Sequence, residues 1–407
     1  MDTGPFISDT FLGFGPKGEV AVLKGIAINL GDKEDHSVVF DTETLRMVGG
    51  FKGTVKLEGT PWSGKHNDNS YLPEDREDYF FATNKGLGVA VDGDWDDPRE
   101  TQNGPLPDAQ GKYLGLYRHE AGTVLSYSVS GSKFLEMPWT LGKGMLRSFE
   151  FERLKKGVEL LVSDQLDGGR KIEVSLRGAP DGVRLKTLPS GRIVVSLQKD
   201  SAGSFDVVFA PEGVEVPVAK RSSLKALTEG GPSLFPEVIT TKGRTSEAKA
   251  GYAVDDIPLP KDNPWESNIR FGAFDFFSDG NRAACSSWNG DVWIAEGIQG
   301  DLSEIKWRRF ASGLYQTLGL KIVDDVIYAH GRDQLTRLHD LNGDGEADFY
   351  ECFNNDVLIT PGFHEFAFDL QTDKEGNFYF SKAAPVLSGG RGFSELTEHT
   401  GTILKVS

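Results

Sequence analysis

The residues with the clearest capacity for chemistry lie in the segment RLHDLNGDGEADFYE, residues 337–351. Carboxylate or amide side chains recur at alternate positions from residue 340, and Gly345 occupies the position where a calcium loop needs a tight turn. The predicted ligand positions are Asp340, Asn342, Asp344, Glu346, Asp348 and Glu351, with Glu346, at the seventh position, contributing its backbone carbonyl. Calcium takes about six to eight oxygen ligands, so this spacing predicts a calcium site. The alternative is an acidic turn that is solvated and binds nothing.

The sequence on either side of this loop lacks the helical pattern that usually flanks such a spacing. Apolar residues alternate before and after it, which indicates strands. A bound ion would then cross-link a turn between two strands, and its role would be structural.

His364 is the second candidate, because it leads the segment HEFAFDLQTDKEGNFYFSKA, residues 364–383. An imidazole with an ordinary pKa near ~6.5 accepts a proton close to neutrality, which suits a general base. The alternative is a structural histidine at the start of a strand. His330 and His339 flank predicted strands, and for them the structural interpretation is favoured.

The elements that must position these residues are strands. Up to about residue 217, stretches such as VAVLKGIAINL, GTVLSYSVSG, RKIEVSLRG and SFDVVFAP place an apolar residue at every second position between turn residues. This period predicts antiparallel sheets, and we expect a β-sandwich-like domain over residues 1–217. Residues 146–161 have mixed character and fit either a helix or a strand pair.

Residues 218–262 carry charged, Pro-containing sequence with no period of 2 or 3.6, which predicts a linker with a short helix at SSLKALTE. Beyond it, an apolar strand, an acidic turn and a second strand recur about every 46 residues. Such a repeat is typical of propeller blades. The predicted fold is therefore all-β, with a β-sandwich-like domain followed by a partial, about three-blade propeller at residues 263–407. About four to eight blades close a ring, so we expect a fragment of a longer protein.

The overall charge excludes some partners. The chain has 61 acidic and 44 basic residues and a formal net charge of −17, which repels nucleic acid and anionic membrane surfaces. No apolar run approaches the ~20 residues of a spanning helix, so membrane insertion is not expected. The two cysteines, Cys285 and Cys352, form no CxxC motif, and we expect buried free thiols rather than a disulfide or a zinc cluster.

Several segments resemble a known group of proteins. NPWESNIRFGAFDFFSDGNRAACSSWNGDVWIAEG, the stretch around HGRDQLTRLHDLNGDGEADFYE, and HEFAFDLQTDKEGNFYFSKA look like the large secreted multidomain proteins of Planctomycetes and Verrucomicrobia. KGIAINLG, VVFDTETLRMVGGFKG and VKLEGTPWSGKH resemble the β-rich domain of unknown function that precedes the propeller in those proteins. The resemblance covers nearly the whole chain.

The resemblance implies a function. The propeller of that group is similar to soluble glucose and sorbosone dehydrogenases, which use pyrroloquinoline quinone, and His364 would then be the base that takes the proton of a sugar or alcohol hydroxyl. It also implies carbohydrate metabolism, a periplasmic or secreted location, and a cytochrome c domain as electron acceptor. No CxxCH haem motif occurs in this chain, and Ser381, Lys382 and Ala383 stand where the dehydrogenases have a Gly-Asp pair.

A non-catalytic module that binds carbohydrate or protein is the competing hypothesis. Aromatic faces hold sugars in many such modules, and Trp62, Trp95 and Trp139 of the first domain are the candidates. Because later blades would be missing from this chain, we expect it to show no dehydrogenase activity by itself.

Overall fold

The computed structural model describes residues 2–13, 19–59, 61–62, 70–164, 169–219, 222–248, 251–362, 364–386 and 396–407. Within these ranges the chain forms strands and two short 3₁₀ helices, without an α-helix, which confirms the all-β class. No helix there has the length and apolar character needed to cross a bilayer. The chain divides into two compact units: the first unit is Ser8–Gly231, and the second unit combines Met1–Ile7 with Pro232–Ser407.

The strands up to residue 231 are β1 (Phe6–Leu12), β2 (Val20–Asn29), β3 (Ser37–Asp41), β4 (Arg46–Phe51), β5 (Ser70–Tyr71), β6 (Tyr79–Ala82), β7 (Val89–Val91), β8 (Gly111–His119), β9 (Gly122–Val129), β10 (Ser132–Leu141), β11 (Gly144–Phe151), β12 (Val158–Ser163), β13 (Ile172–Arg177), β14 (Val183–Thr187), β15 (Ile193–Leu197) and β16 (Gly203–Pro211). The 3₁₀ helices are Arg76–Asp78 and Lys225–Thr228. Three groups of neighbouring strands result, in the orders β5, β1, β2, β3, β4, β6, then β13, β16, β11, β10, β9, β8, and β14, β15, β12, β7.

Stacked aromatic rings fill the core of the first unit. Phe134 lies 5.6 Å from Tyr127, and Phe149 lies 4.8 Å from Phe205, measured between ring centroids. These rings are buried because alternation along each strand sends them to one face of the sheet. Residues 146–161 form neither a helix nor a strand pair, since β11 pairs with β10 and β16 while β12 pairs with β15 and β7.

Part of the segment predicted as a linker is folded into the two units, which corrects the predicted boundaries. Leu224 and Leu227 are buried in an apolar cluster of the first unit that includes Val124. On the other side of the boundary, Phe235 belongs to the core of the second unit. The charged, aperiodic sequence did not indicate these buried residues, because only a few apolar side chains make the contacts.

The strands of the second unit are β17 (Ile239–Thr241), β18 (Phe271–Phe276), β19 (Arg282–Ser287), β20 (Val292–Glu296), β21 (Ile305–Ala311), β22 (Gly319–Val323), β23 (Val326–His330), β24 (Leu335–His339), β25 (Phe349–Asn354), β26 (Ala367–Thr372), β27 (Phe378–Lys382) and β28 (Thr402–Val406). Strands β18 to β21, β22 to β25, and β26 to β28 form three successive antiparallel meanders. Their first residues, Phe271, Gly319 and Ala367, are evenly spaced. The repeat predicted from the sequence therefore corresponds to repeated meanders, and β17 extends the first of them.

The extreme N-terminus also belongs to the second unit, although the sequence predicted it as the start of the first domain. The Asp2 N–H donates to the Trp265 carbonyl at 2.8 Å, and Arg309 Nη2 donates to the Asp2 carbonyl at 2.8 Å. Arg309 is itself buried and pairs with Asp291 at 2.7 Å. These contacts fix the N-terminal residues beside a tryptophan-rich core.

Candidate functional site

The predicted calcium loop connects two antiparallel strands, β24 and β25, as its flanking alternation indicated. The carboxylate of Asp340 accepts hydrogen bonds from the N–H groups of Gly343 at 2.7 Å, Asp344 at 3.2 Å and Gly345 at 3.0 Å. Gly343 and Gly345 adopt φ of +77° and +90°, which a side chain would disfavour. The loop therefore curls around the Asp340 carboxylate.

The other short polar side chains of the loop also bind its backbone. Asn342 Oδ1 accepts from the Asp344 N–H at 3.0 Å, and Asp344 Oδ1 accepts from the Glu346 N–H at 3.0 Å. Asp348 is completely buried, and its Oδ2 accepts from the Leu341 N–H at 2.8 Å. The structure thus brings four of the six predicted side chains into one turn.

Glu351 lies outside the turn and has another role. In the β24–β25 pairing it stands opposite Arg337, whose Nε and Nη2 donate to its carboxylate at 2.6 and 2.9 Å. His339 Nε2 also lies 2.6 Å from this carboxylate. Regular strand pairing from Phe349 to Cys352 places the Glu351 side chain across from the arginine, which explains why it does not close the loop as predicted.

The Glu346 side chain is likewise directed elsewhere, since its Oε2 accepts from Ser233 Oγ at 2.6 Å and from the Phe235 N–H at 2.8 Å. The sequence predicted only a backbone contact from this residue. Oxygen ligands suit a hard cation, yet no group of three or more His, Cys, Asp or Glu side chains in the described ranges is arranged to hold a metal ion. Calcium binding would require the carboxylates of Asp340, Asp344 and Asp348 to converge, and it stays a prediction.

His364 occupies an exposed turn just before β26. Its φ of +62° is in the left-handed region, which is uncommon for a residue with a side chain. The imidazole centroid lies 5.7 Å from the ring of Phe366. Backbone strain of this kind persists only when the surrounding structure imposes it, and it concentrates at functional sites.

A buried group of charged residues imposes this turn. Glu365, Arg332 and Lys382 are each at most 2% exposed. Glu365 Oε1 lies 2.9 Å from Lys382 Nζ, and its Oε2 lies 3.6 Å from Arg332 Nη2. Glu365 Oε2 also accepts from the Thr360 N–H at 2.6 Å, while Arg332 Nη2 donates to the Gly362 carbonyl at 3.0 Å. The turn that carries His364 is thus held from both sides.

Sequence reasoning did not identify this buried group, although one signal was present. Lys382 shares the alternation of β27 with Phe378 and Phe380, which are buried. A lysine on the apolar face of a strand requires a buried carboxylate partner. That pattern pointed to an ion pair, but the identity of the partner depends on tertiary contacts.

His330 also lies beside this group, as a buried strand residue. Its ring centroid is 3.9 Å from that of Phe380, and its Nδ1 has no hydrogen-bond partner in the described part of the chain. Burial, assisted by the nearby charge of Lys382, lowers the pKa of His330 to about 3. The imidazole is therefore neutral at physiological pH.

The remaining predicted residues have structural environments. Cys285 and Cys352 are buried and not joined in a disulfide, as expected, and burial raises the pKa of the Cys285 thiol to about 12. Among the tryptophans proposed to bind sugar, Trp95 donates to Glu159 at 2.9 Å and Trp139 donates to Ser148 at 2.8 Å. All three of these tryptophans, Trp62 included, are partly buried. They do not form an exposed aromatic platform.

Exposed aromatic rings occur instead on the second unit. Phe274 and Phe276 of β18 are 63% and 53% exposed, and their rings meet edge to face at 5.7 Å. Phe368 of β26 is 42% exposed. The sequence pattern did not indicate these exposed rings, because alternation alone does not tell which face of a strand is covered.

One comparison with known proteins gives a match within the first unit. Residues 38–136 match the family model of DUF6797, a domain of unknown function. The match covers about a quarter of the chain and does not reach the 340–351 loop or His364. No curated protein matches the chain. The comparisons therefore assign no activity.

Proposed function

We propose that the second unit belongs to a propeller-type, dehydrogenase-like domain that oxidises a sugar or small alcohol, with His364 as the general base. The observation that carries the proposal is the exposed imidazole on a strained turn, fixed by the buried pair of Glu365 and Arg332. The evenly spaced meanders support a blade-like repeat. On the basis of the family resemblance, we also propose that the protein is exported, acts in carbohydrate metabolism and passes electrons to a cytochrome.

The geometry fits a base because His364 combines exposure with a fixed backbone. In the oxidation, the substrate hydroxyl proton moves to an imidazole nitrogen, and the carbon-bound hydrogen leaves with its electron pair to an acceptor. A base contributes most when its position is set before the substrate binds. Hydrogen bonds from Arg332 to Gly362 and from Thr360 to Glu365 provide that fixed position.

Pyrroloquinoline quinone, implied by the resemblance, carries several carboxylates and would need cationic partners. The two cations that contact Glu365 beside the His364 turn, Arg332 and Lys382, are buried. They do not fit a role in holding an anionic quinone. We therefore assign no residue to this cofactor and derive no step through it.

The test is a dye-reduction assay of the 407-residue protein with a panel of sugars and alcohols, with and without pyrroloquinoline quinone and calcium. Substrate-dependent reduction that is lost in His364→Ala supports the proposal. His119→Ala, in the first unit, is the matched control and should retain the rate. An equal rate in His364→Ala overturns the proposal, whereas no reduction under any condition agrees with the expectation that this chain by itself is inactive because later blades are needed.

A non-catalytic sugar-binding role is the second candidate, and the exposed Phe274 and Phe276 pair is the observation that favours it. Aromatic rings of this kind can stack on the apolar face of a sugar. Affinity electrophoresis against a polysaccharide panel would detect such binding. If the two rings bind a polysaccharide, the double variant Phe274→Ala, Phe276→Ala should no longer be retarded in the gel that contains it, whereas His364→Ala should still be retarded.

For the 340–348 loop we propose a structural calcium site. Support comes from the Asp340 carboxylate at the centre of the turn and from the hard oxygen ligands around it. Two glycines with positive φ allow the backbone to approach an ion closely. The ion would stiffen the connection between β24 and β25, away from His364.

A further inference from the structure

The second unit contains a cleft of about 310 Å³ between its first two meanders. The first meander supplies Ile294 of β20 and Phe310 of β21, and the second meander supplies Ile327 of β23 and Leu338 of β24. Ile327 and Leu338 are directly opposite each other in the β23–β24 pairing, so their side chains lie on the same face and form one apolar wall. Clefts of roughly 300–1,000 Å³ with mainly apolar walls accommodate small ligands.

Aromatic rings make up part of the opposite wall. Phe277, the residue after β18, and Phe310 of β21 both line the cleft, and each is 6% exposed. Phenylalanine rings attract other aromatic rings in edge-to-face or offset arrangements, beyond the gain from burying apolar surface. Leu341 lines the cleft from the 340–348 loop and is 44% exposed, so an apolar side chain also stands where the cleft meets solvent.

The one arginine of the lining and the carboxylate of Asp325 are already paired within the second unit. Arg282 Nε donates to Asp279 at 2.6 Å, and the guanidinium carbon lies 4.4 Å from the ring centroid of Phe277. Asp325 accepts hydrogen bonds from the Ser278 N–H at 2.8 Å and from Ser278 Oγ at 2.6 Å. The second pair also connects a turn of the first meander to a turn of the second.

The other two titratable lining residues are engaged in the same way. His339 Nε2 lies 2.6 Å from the Glu351 carboxylate, and the Asp340 carboxylate accepts from the N–H groups of Gly343 and Gly345. An ionised group that entered the cleft would lose its water without gaining a partner of opposite charge, which is costly. The lining therefore favours an uncharged ligand.

We propose that this cleft binds a small, uncharged aromatic molecule, with its rings against Phe277 and Phe310 and Leu341 covering its outer edge. The attraction comes from apolar surface that is removed from water and from ring contacts. No charged contact contributes, so the affinity should be nearly the same at low and high salt.

The test uses 2-naphthol as the uncharged probe and 2-naphthoate as an anionic probe with the same ring system. Each is titrated calorimetrically into the 407-residue protein at neutral pH in calcium-free buffer, so that the outcome does not depend on a metal ion in the 340–348 loop. We expect naphthol to bind at least about tenfold more tightly than naphthoate, because the carboxylate would be desolvated without a cationic partner.

Two variants locate the binding in the cleft. Leu341→Ala removes part of the apolar contact and should lower naphthol affinity by about fivefold. Ile294→Trp fills the cleft with a larger side chain and should abolish binding. The matched controls are Leu396→Ala and Ile403→Trp, at positions of the second unit that are 55% and 79% exposed and do not line the cleft. Both controls should bind naphthol as the parent does.

Circular dichroism establishes that each variant is folded, and if Ile294→Trp is not, the comparison of Leu341→Ala with Leu396→Ala decides. Naphthoate binding as tightly as naphthol, or no binding of naphthol, overturns the proposal. An equal loss of affinity in Leu341→Ala and Leu396→Ala, or parent affinity in a folded Ile294→Trp, also overturns it.

Discussion

Lys382 Nζ lies 2.9 Å from Glu365 Oε1, and both side chains are completely inaccessible to solvent. The contact joins strand β27 to the turn before β26, and Arg332 approaches the second oxygen of the same carboxylate at 3.6 Å. The buried Glu365 carboxylate thus lies close to two buried cations, Lys382 and Arg332. Removing it leaves two charges in a low-dielectric interior, which is far more costly than losing an exposed pair.

Glu365→Gln should therefore destabilise the second unit by about 3–5 kcal/mol, because the amide cannot neutralise Lys382 and Arg332. Urea unfolding followed by tryptophan fluorescence measures the change. Glu304→Gln is the control, since Glu304 is 61% exposed and pairs with Lys306 at 3.7 Å. The control should change the free energy of unfolding by less than about 1 kcal/mol. Similar losses in both variants would contradict the prediction.

The backbone of His364 predicts a stability difference between two variants. At φ of +62°, glycine is unstrained, whereas alanine keeps the steric cost of a Cβ atom in the left-handed region. His364→Gly should thus be more stable than His364→Ala by about 1 kcal/mol. The same urea titration measures it. If alanine is equal or better, the turn does not hold the strained conformation in solution.

The sequence predicted the strands and the repeat well because alternation records which face each strand buries. SFDVVFAP, for example, gave β16, where Phe205, Val207 and Phe209 are buried. The sequence also predicted the turn at residues 340–348, because short polar residues and glycines specify local backbone geometry. Both signals are local.

Tertiary pairing accounts for what the sequence did not predict. Glu351 fits a calcium spacing by position, yet Arg337 on the neighbouring strand takes its carboxylate. The aperiodic stretch around Leu224 looked like a linker, yet a few apolar anchors fold it into the first unit. In both cases the decisive partner lies on another strand, and one-dimensional patterns do not specify it.

Calcium binding by the loop should depend on Asp344 and not on Glu351. Asp344→Ala removes a loop carboxylate and should abolish the heat of calcium binding in isothermal titration calorimetry. Glu351→Gln should keep it, because Glu351 is paired with Arg337 and His339 outside the turn. If Glu351→Gln loses the heat of calcium binding and Asp344→Ala keeps it, Glu351 and not Asp344 is the ligand. If the parent protein gives no heat of calcium binding, the loop is not a calcium site.

The boundary at residue 231 predicts how a fragment behaves. Residues 2–231 should unfold cooperatively, whereas 2–217 should be less stable because it lacks Leu224 and Leu227, which are 0% and 7% exposed in the described structure. Loss of buried leucines typically costs about 2–5 kcal/mol each. Thermal melts of the two fragments measure this, with Leu224→Ala in 2–231 as an intermediate. Equal melting temperatures for the two fragments would show that the segment does not contribute.

His330 makes the stability of the second unit sensitive to acid. Burial, followed by the charge of Lys382, lowers its pKa to about 3 in the folded protein, against an ordinary value of 6.5. Between these values the unfolded chain binds the proton and the folded chain does not, so stability falls as pH decreases from 6.5 toward 3. Between pH 6.5 and 5, where most carboxylates stay ionised, this histidine should lower the free energy of unfolding by about 1–2 kcal/mol.

The variant His330→Phe keeps a ring against Phe380 and has no group that titrates in this range. Urea unfolding of the parent and the variant at pH 6.5, 5.75 and 5 isolates the contribution of the histidine as the difference between their slopes. The parent should lose stability more steeply than the variant, since only the parent takes up a proton at this position on unfolding. Parallel pH dependences would mean that His330 already binds its proton in the folded protein, in conflict with its burial beside Lys382.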